Sequence, residues 1–173
     1  MRALVRTATG LLLLGLSLSV LAEEVPRPVA EVAAGLTAED VAVRRRAAYE
    51  LWQRRAEDGQ PAAALAAAVR DDDSYVRDTC ARALRDRLSV TPEALAPLAD
   101  ALADPRVEVR RTASGLLPWA YGAAKCVVGP LVRALGDDDA QVRIDAARAL
   151  SLQLPAVAQE AVVPLRALAH DAV

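Results

Sequence analysis

The chain has few of the residue types that usually carry chemistry or fill a core. Its 173 residues include no Phe, two Trp, three Tyr and one His, and only Lys125 among its 21 basic residues is a Lys. Because bulky aromatic side chains are so scarce, Ala and Leu must supply the core, which suits thin helices that pack closely. The single His, His170, lies near the carboxyl end and is interpreted as a surface residue rather than as a general base or metal ligand.

No excess of positive charge is present either. The formal net charge is −2, and removing residues 1–22 takes away Arg2 and Arg6 but no acid, which leaves 19 basic and 23 acidic residues. A nucleic-acid-binding domain is normally basic. The composition therefore argues against a nucleic-acid partner.

The amino terminus has the pattern of a secretory signal peptide. Arg2 and Arg6 precede the apolar run Leu11–Leu21, and Ala22 offers the small residue that a signal peptidase needs. The run is too short for the roughly 20 residues of a spanning helix, so a retained membrane anchor is the weaker alternative. We expect residues 1–22 to be a signal peptide, 23–28 a short linker and 29–173 the folded domain, periplasmic or secreted after cleavage near Ala22.

Four Val-Arg pairs recur at a constant interval of 33 residues. The pairs are Val43-Arg44, Val76-Arg77, Val109-Arg110 and Val142-Arg143. Each is followed by two small residues and then by a Leu, as in Cys80, Ala81 and Leu84. A fixed period of this size indicates a stack of helical units that bury their apolar faces against one another.

The frame of these units resembles the HEAT repeat. In its clearest copy, residues 130–150, a first helix ends in Leu135-Gly136-Asp137 and a second helix carries Val142-Arg143 and Ala146-Ala147. The ankyrin and tetratricopeptide patterns do not recur, although 33 residues is the ankyrin length. The resemblance covers roughly residues 28–170 and implies an all-α, HEAT-like α-solenoid of about four helix pairs. The first pair is weakly formed at Val29–Gly35, and a closing helix is expected around Ala156–Ala169.

Acidic residues mark the turn inside each unit. Asp73, Asp104 and Asp139 are predicted to cap the second helices, because a carboxylate there accepts from unpaired amides and suits the helix dipole. The resemblance further implies a structural ladder in which the recurrent Arg reaches a turn Asp of its own or the next unit. Its members would be Asp71, Arg77, Asp104, Arg110, Asp137 and Arg143, together with Arg44.

Neither a metal nor a cofactor is expected. The acidic runs lack the Gly and the terminal Glu of a calcium loop, and the chain has none of the His-Glu pairs with which HEAT-like hydroxylases hold iron. Cys80 falls in the small-residue column and Cys126 in a first-type helix, so a buried, unpaired Cys80 is favoured over a Cys80–Cys126 disulfide.

A protein-binding groove is the expected functional site. In HEAT stacks the second helices line the concave side, so their solvent-facing residues become neighbours, and Arg, Tyr and Trp often dominate the energetics of interfaces. The candidates are Arg45, Tyr49, Trp52, Tyr75, Arg82, Arg111, Trp119 and Arg148. Ordinary solvated arginines and partly buried aromatics are the alternative interpretation of the same residues.

The third unit departs from the pattern at Pro118. Pro removes a helix hydrogen bond and clashes with the preceding turn, so the second helix should end or kink near Leu117 and display Trp119 and Tyr121 at a bend. Either a functional irregularity or packing between units explains this.

These observations predict a non-enzymatic, exported scaffold or adaptor that binds a protein or peptide. The alternative is a subunit or regulator of an enzyme complex, in the manner of the HEAT-like bilin lyases, which share the repeat. The final residues leave a rather apolar end, for which we expect self-association or docking onto a partner.

Overall fold

The computed structural model describes residues 26–57, 59–85, 88, 92–120 and 125–152, which contain helices and turns but no strand. The helices are α1 (Val29–Ala34), α2 (Val41–Gln53), α3 (Ala62–Ala67), α4 (Ser74–Arg85), α5 (Leu95–Ala101), α6 (Val107–Leu116), α7 (Val128–Ala134) and α8 (140–152). Short 3₁₀ turns lie at Gly35–Thr37, Ala68–Arg70, Pro92–Ala94, Leu117–Trp119 and Lys125–Val127.

These helices form two parallel layers of a solenoid. The first helices α3, α5 and α7 contact one another in sequence, and so do the second helices α2, α4 and α6. Within each unit the first and second helices also pack together, as α3 does with α4 and α5 with α6. The all-α solenoid predicted from the repeat is confirmed, whereas the closing helix expected around Ala156–Ala169 lies outside the described residues.

The core follows the 33-residue frame because each helix presents one apolar stripe. Val76, Cys80 and Leu84 follow one another at four-residue intervals along α4 and are buried, so they form a stripe that matches the helical repeat. The equivalent Val109 and Val142 are fully buried as well. Small residues at the position of Cys80 let neighbouring second helices approach closely.

Val43 breaks this equivalence. It occupies the same place in α2 as Val76, Val109 and Val142, yet 45% of it is exposed. No complete unit precedes α2 within the described residues, and α1 has only six residues. The side chain therefore lacks the neighbour that covers its equivalents.

Pro118 ends the second helix of the third unit, as predicted. The α-helix stops at Leu116, and Leu117–Trp119 continue as a 3₁₀ turn in which Pro118 is buried. Because Pro has no N–H and crowds the preceding turn, it cannot continue the α-helical ladder. The turn leaves Trp119 on the surface, 44% exposed, while Tyr121 lies outside the described residues.

Both cysteines are unpaired. Cys80 is buried in α4, and Cys126 is exposed in the 3₁₀ turn before α7. Their different environments are those expected from the repeat columns. Separately, the helices in the described part of the chain are all too short or too polar to cross a membrane.

Candidate functional site

The surface of interest is formed by the exposed residues of α2, α4, α6 and α8, which we call the second-helix face. Packing of successive second helices against one another brings equivalent positions of neighbouring units side by side. The predicted groove residues on this face are Arg45, Tyr49, Trp52, Tyr75, Arg82, Arg111 and Arg148, all of them exposed except Trp52, which is partly buried.

Four side chains of the first two units enclose an open depression of about 550 Å³, which we call the tyrosine depression. It is lined by Arg45, Arg46 and Tyr49 of α2 and by Tyr75 of α4. Tyr49 and Tyr75 are each 44% exposed. Three of these residues were predicted groove residues, and Arg46 was missed because its equivalents in the other units, such as Thr79, are not basic.

Trp52 lies beside the tyrosine depression. Its ring is 5.9 Å from that of Tyr49 and tilted by 38°, and it packs against the core from a partly buried position. The guanidinium of Arg55 lies 5.2 Å from the centre of the Trp52 ring. This distance is within the range of a cation–π contact. Trp52 therefore packs on the core and also interacts with a surface cation.

Trp119 lies apart from the tyrosine depression, at the end of the third unit. Arg85, from the end of α4, lies 5.6 Å from the centre of its ring. Neither Arg55 nor Arg85 was predicted from the sequence, because the pattern of one helix does not reveal which cation will lie over a ring on another turn or unit. The two Trp residues therefore form two separate Trp-Arg pairs.

Arg82 and Arg148 occupy equivalent positions on α4 and α8 and are both exposed. In the third unit the same position is Gly115, and a Cβ added there would lie 3.9 Å from Asp145 Oδ2. Asp145 is nearly buried and accepts a hydrogen bond from Gln141 Nε2 at 2.9 Å. The row of large side chains on this face is thus interrupted between the second and fourth units.

Two of the predicted groove arginines also join successive units. Arg45 donates through Nε and Nη2 to both carboxylate oxygens of Asp73, at 3.0 and 2.6 Å. Arg111 makes the same fork with Asp139, at 3.0 and 2.5 Å. In each case the Arg and the Asp are 28 residues apart, and this recurring interval is the sequence signal that could have revealed the pairs.

The Asp residues of these forks also cap the following helix. Asp73 accepts from the backbone N–H of Val76 at 3.1 Å, and Asp139 accepts from that of Val142 at 3.2 Å. The hydrogen bond from Arg45 is the main reason that the pKa of Asp73 falls to about 2, and Arg111 lowers the pKa of Asp139 to about 2 in the same way. Each carboxylate therefore holds a helix start and a neighbouring unit together.

The predicted ladder of recurrent arginines has two forks. Arg44 binds Asp71 of the next unit at 2.7 and 3.2 Å, and Arg110 binds Asp137 at 2.7 and 3.0 Å. All four recurrent arginines also donate from Nη1 to two backbone carbonyls of their own turn. The acceptors are Ala38 and Glu39 for Arg44, Asp71 and Asp72 for Arg77, Asp104 and Pro105 for Arg110, and Asp137 and Asp138 for Arg143.

The junction between the second and third units differs from the expected ladder. Arg77 binds only the carbonyls of its own turn among the described residues. Asp104 is engaged instead by Arg106, through Nε at 2.9 Å and Nη2 at 3.2 Å, and by Arg70 Nε at 3.1 Å. Arg106 also donates to Asp72 at 2.6 Å. At this junction an Arg of the later unit therefore binds an Asp of the earlier unit, whereas Arg44 and Arg110 each bind an Asp of the next unit.

Asp104 is also not the helix cap that the sequence suggested. Its carboxylate accepts from the backbone N–H of Arg106 at 3.0 Å, and Arg106 itself occupies the N-cap position of α6 without a side-chain cap. The reason is register, since Asp104 is equivalent to Asp71 and Asp137 rather than to the capping residues Asp73 and Asp139. The hydrogen bonds from the Arg106 guanidinium, the Arg106 backbone N–H and the Arg70 guanidinium hold the pKa of the Asp104 carboxyl well below its usual range.

Within the described residues, no group of three or more His, Cys, Asp or Glu side chains could hold a metal ion. Burial raises the pKa of the Cys80 thiol to about 12, so this thiol stays protonated at neutral pH. The features of the site are thus aromatic rings, arginines and paired carboxylates.

A protein-family model described as HEAT repeats matches residues 29–117, about half of the chain. A search of curated proteins finds no match. The match to the repeat model spans α1 to α6, including the tyrosine depression and the Arg45–Asp73 fork.

Solved structures of three engineered proteins from the Northeast Structural Genomics Consortium are similar in fold. The first is 24% identical, has a TM-score of 0.52 and covers 72% of this chain. The second is 23% identical, has a TM-score of 0.59 and covers 79% of this chain. The third is 24% identical, has a TM-score of 0.57 and covers 80% of this chain. This chain spans 62%, 40% and 68% of their respective lengths, which is less than two thirds of the first two. At this identity the likeness concerns the fold alone.

Proposed function

Because this chain belongs to the HEAT repeat family, we propose that it is an exported, non-enzymatic adaptor that binds a protein or peptide along its second-helix face. HEAT repeats usually mediate protein–protein interactions, and solenoids of this kind present extended binding surfaces. The likeness to the bilin lyases rests on the repeat motif alone and is not part of the proposal.

The observation that carries the proposal is the exposure of aromatic side chains beside arginines on one face. Tyr49 and Tyr75 are almost half exposed in the tyrosine depression, although the core of the same units is built almost entirely from Ala, Val and Leu. Aromatic residues and Arg are the types most enriched among energetically dominant interface residues. Rigid rings already positioned on a repeat scaffold lose little conformational freedom when a partner docks.

Export is the second part of the proposal. It is supported by the arginines and the apolar run that precede Ala22, which together have the form of a cleaved signal peptide. An exported adaptor would meet its partner outside the cytoplasm, in the periplasm or beyond the cell.

Site-specific photocrosslinking in the native host tests the binding face. A photoreactive amino acid replaces Tyr75 in one variant and Arg133 in a matched control, where Arg133 is an exposed residue of the first helix α7. We expect a discrete crosslinked partner from position 75 and none from position 133. Equal adducts at both positions, or none at position 75, would contradict the proposed face.

A further inference from the structure

The tyrosine depression is lined entirely by side chains that can donate hydrogen bonds. Two guanidinium groups, Arg45 and Arg46, and two phenols, Tyr49 and Tyr75, form its walls. A guanidinium has five N–H donors and no acceptor, and a phenol is protonated at neutral pH. None of the four residues brings a negative charge to the depression.

Much of this donor capacity is unused in the described part of the chain. Arg46 is exposed and forms no ion pair or hydrogen bond through its side chain there. Arg45 uses Nε and Nη2 for Asp73, which leaves Nη1 without a partner among the same residues. Tyr75 lines the same depression from the α4 side.

The fork with Asp73 also fixes the geometry of Arg45. Because both carboxylate oxygens are engaged, the guanidinium plane is held in place, and its free edge is a pre-positioned donor rather than a mobile surface charge. Because Asp73 already balances the charge of Arg45, a second carboxylate at that edge needs the positive charge of the adjacent Arg46.

The α4 side of the depression carries a negative charge nearby, whereas the α2 side carries two positive ones. Asp78 is exposed and lies three residues after Tyr75, on the same side of the helix. An acidic group bound in the depression would therefore lie towards α2 and Arg46 and away from Asp78. Apolar atoms between the acidic groups would pack on the rings of Tyr49 and Tyr75.

We propose that the tyrosine depression binds an acidic segment of the partner, with one carboxylate held by Arg46 and the free edge of Arg45 and with an adjacent apolar side chain against the two tyrosines. This inference rests on the proposed function and names the chemistry of the partner at that face.

Fluorescence anisotropy of the purified protein with two labelled peptides tests the charge preference. One peptide has the sequence Glu-Leu-Glu-Leu-Glu, and the other has Lys in place of each Glu. We expect the acidic peptide to bind and the basic one not to bind, with weaker binding at high salt because exposed charges are screened. Equal binding of both peptides, or binding of neither, overturns the proposal.

Three variants identify the residues. Arg46→Ala should weaken binding of the acidic peptide by roughly tenfold, and Asp78→Ala should strengthen it by a few-fold, since a repulsive charge is removed. Arg148→Ala is the control, because it removes an exposed guanidinium from the same face but in the fourth unit, and its effect should be negligible. If Arg46→Ala and Arg148→Ala change the affinity equally, the peptide is attracted only by general positive charge and the inference is wrong.

The two proposals can fail separately. If a partner crosslinks at position 75 and Arg46→Ala does not change the yield, the adaptor function is supported and the proposed acidic segment is wrong. If Arg46 is intact and there is neither an adduct at position 75 nor binding of the acidic peptide, both proposals are wrong.

Discussion

Replacement of Asp104 by Asn should destabilise the fold more than the same replacement at any exposed turn carboxylate. Asp104 is only 2% exposed, and its carboxylate accepts from the amide and guanidinium of Arg106 and from the guanidinium of Arg70. Asp104→Asn keeps the shape but removes the charge, and its NH₂ group would face donors. The bridge between the second and third units would therefore lose its negative charge and one of the two acceptor oxygens that Asp104 supplies.

The magnitude follows from burial on the two sides of the bridge. A hydrogen bond to a charged group contributes about 1.5–3 kcal/mol, and breaking a fully buried ion pair costs about 3–5 kcal/mol. The side chains of Arg70 and Arg106 are 49% and 36% exposed, so water can solvate them after the carboxylate is lost. We therefore expect a loss of about 2–3 kcal/mol, which corresponds to a fall in the thermal midpoint of roughly 4–12 °C.

Urea unfolding followed by circular dichroism at neutral pH measures this difference. Asp138→Asn is the matched control, since Asp138 has an exposed side chain in the equivalent turn of the fourth unit and should change stability by less than about 0.5 kcal/mol. Indistinguishable unfolding midpoints for the two variants would refute the assigned role of Asp104.

Acid titration provides an independent check on the same residue. The folded pKa of Asp104 lies below its ordinary value of 3.8, so the ionised form stabilises the native state, and this contribution is fully present above about pH 5. It is lost progressively as pH falls from there towards the folded pKa. The gap in stability between the wild type and Asp104→Asn should therefore narrow on acidification, and a gap that widened would have the wrong sign.

Three further predictions concern other parts of the chain. Leu84 is 2% exposed, so Leu84→Ala should cost about 2–5 kcal/mol and Arg82→Ala less than about 0.5 kcal/mol; comparable denaturation midpoints would show that the helix register is wrong. A maleimide should label the exposed Cys126 in the native protein and the buried Cys80 only after unfolding, whereas rapid labelling of both native thiols would contradict the burial of Cys80. Intact-mass measurement of protein from the native host should give a chain that begins at Glu23, and a species that retains Met1 would rule out cleavage.

The repeat frame was readable because helix stacking constrains spacing strongly. Burial of Val76, Val109 and Val142 follows from the 33-residue interval, and the end of α6 follows from Pro118. These features depend on the local sequence and on packing against a neighbouring unit, which is nearly the same for each unit of the stack. The repeat pattern was therefore sufficient to predict the fold class and most of the core.

The site was less predictable because its side chains have several possible partners. The sequence identified Arg45 and Arg111 as groove residues, but the structure shows that each also binds an Asp of the next unit. Arg46 was missed, although it contributes a guanidinium group to the tyrosine depression. A solvent-exposed guanidinium can reach in several directions, and only the positions of neighbouring helices select one.

The sequence by itself determined the helical class, the length of the unit and the stripe that each second helix buries, since periodicity is a property of the chain. Tertiary structure alone decided which charges pair across each junction. Arg106 points back to Asp104 and Asp72 instead of continuing the ladder, and Val43 stays exposed although its equivalents are buried. The physical reason is that the burial and the ion pairing of a residue depend on the residues of the neighbouring unit that face it. The repeat pattern predicts those residues only where a neighbouring unit is present and carries the complementary charge.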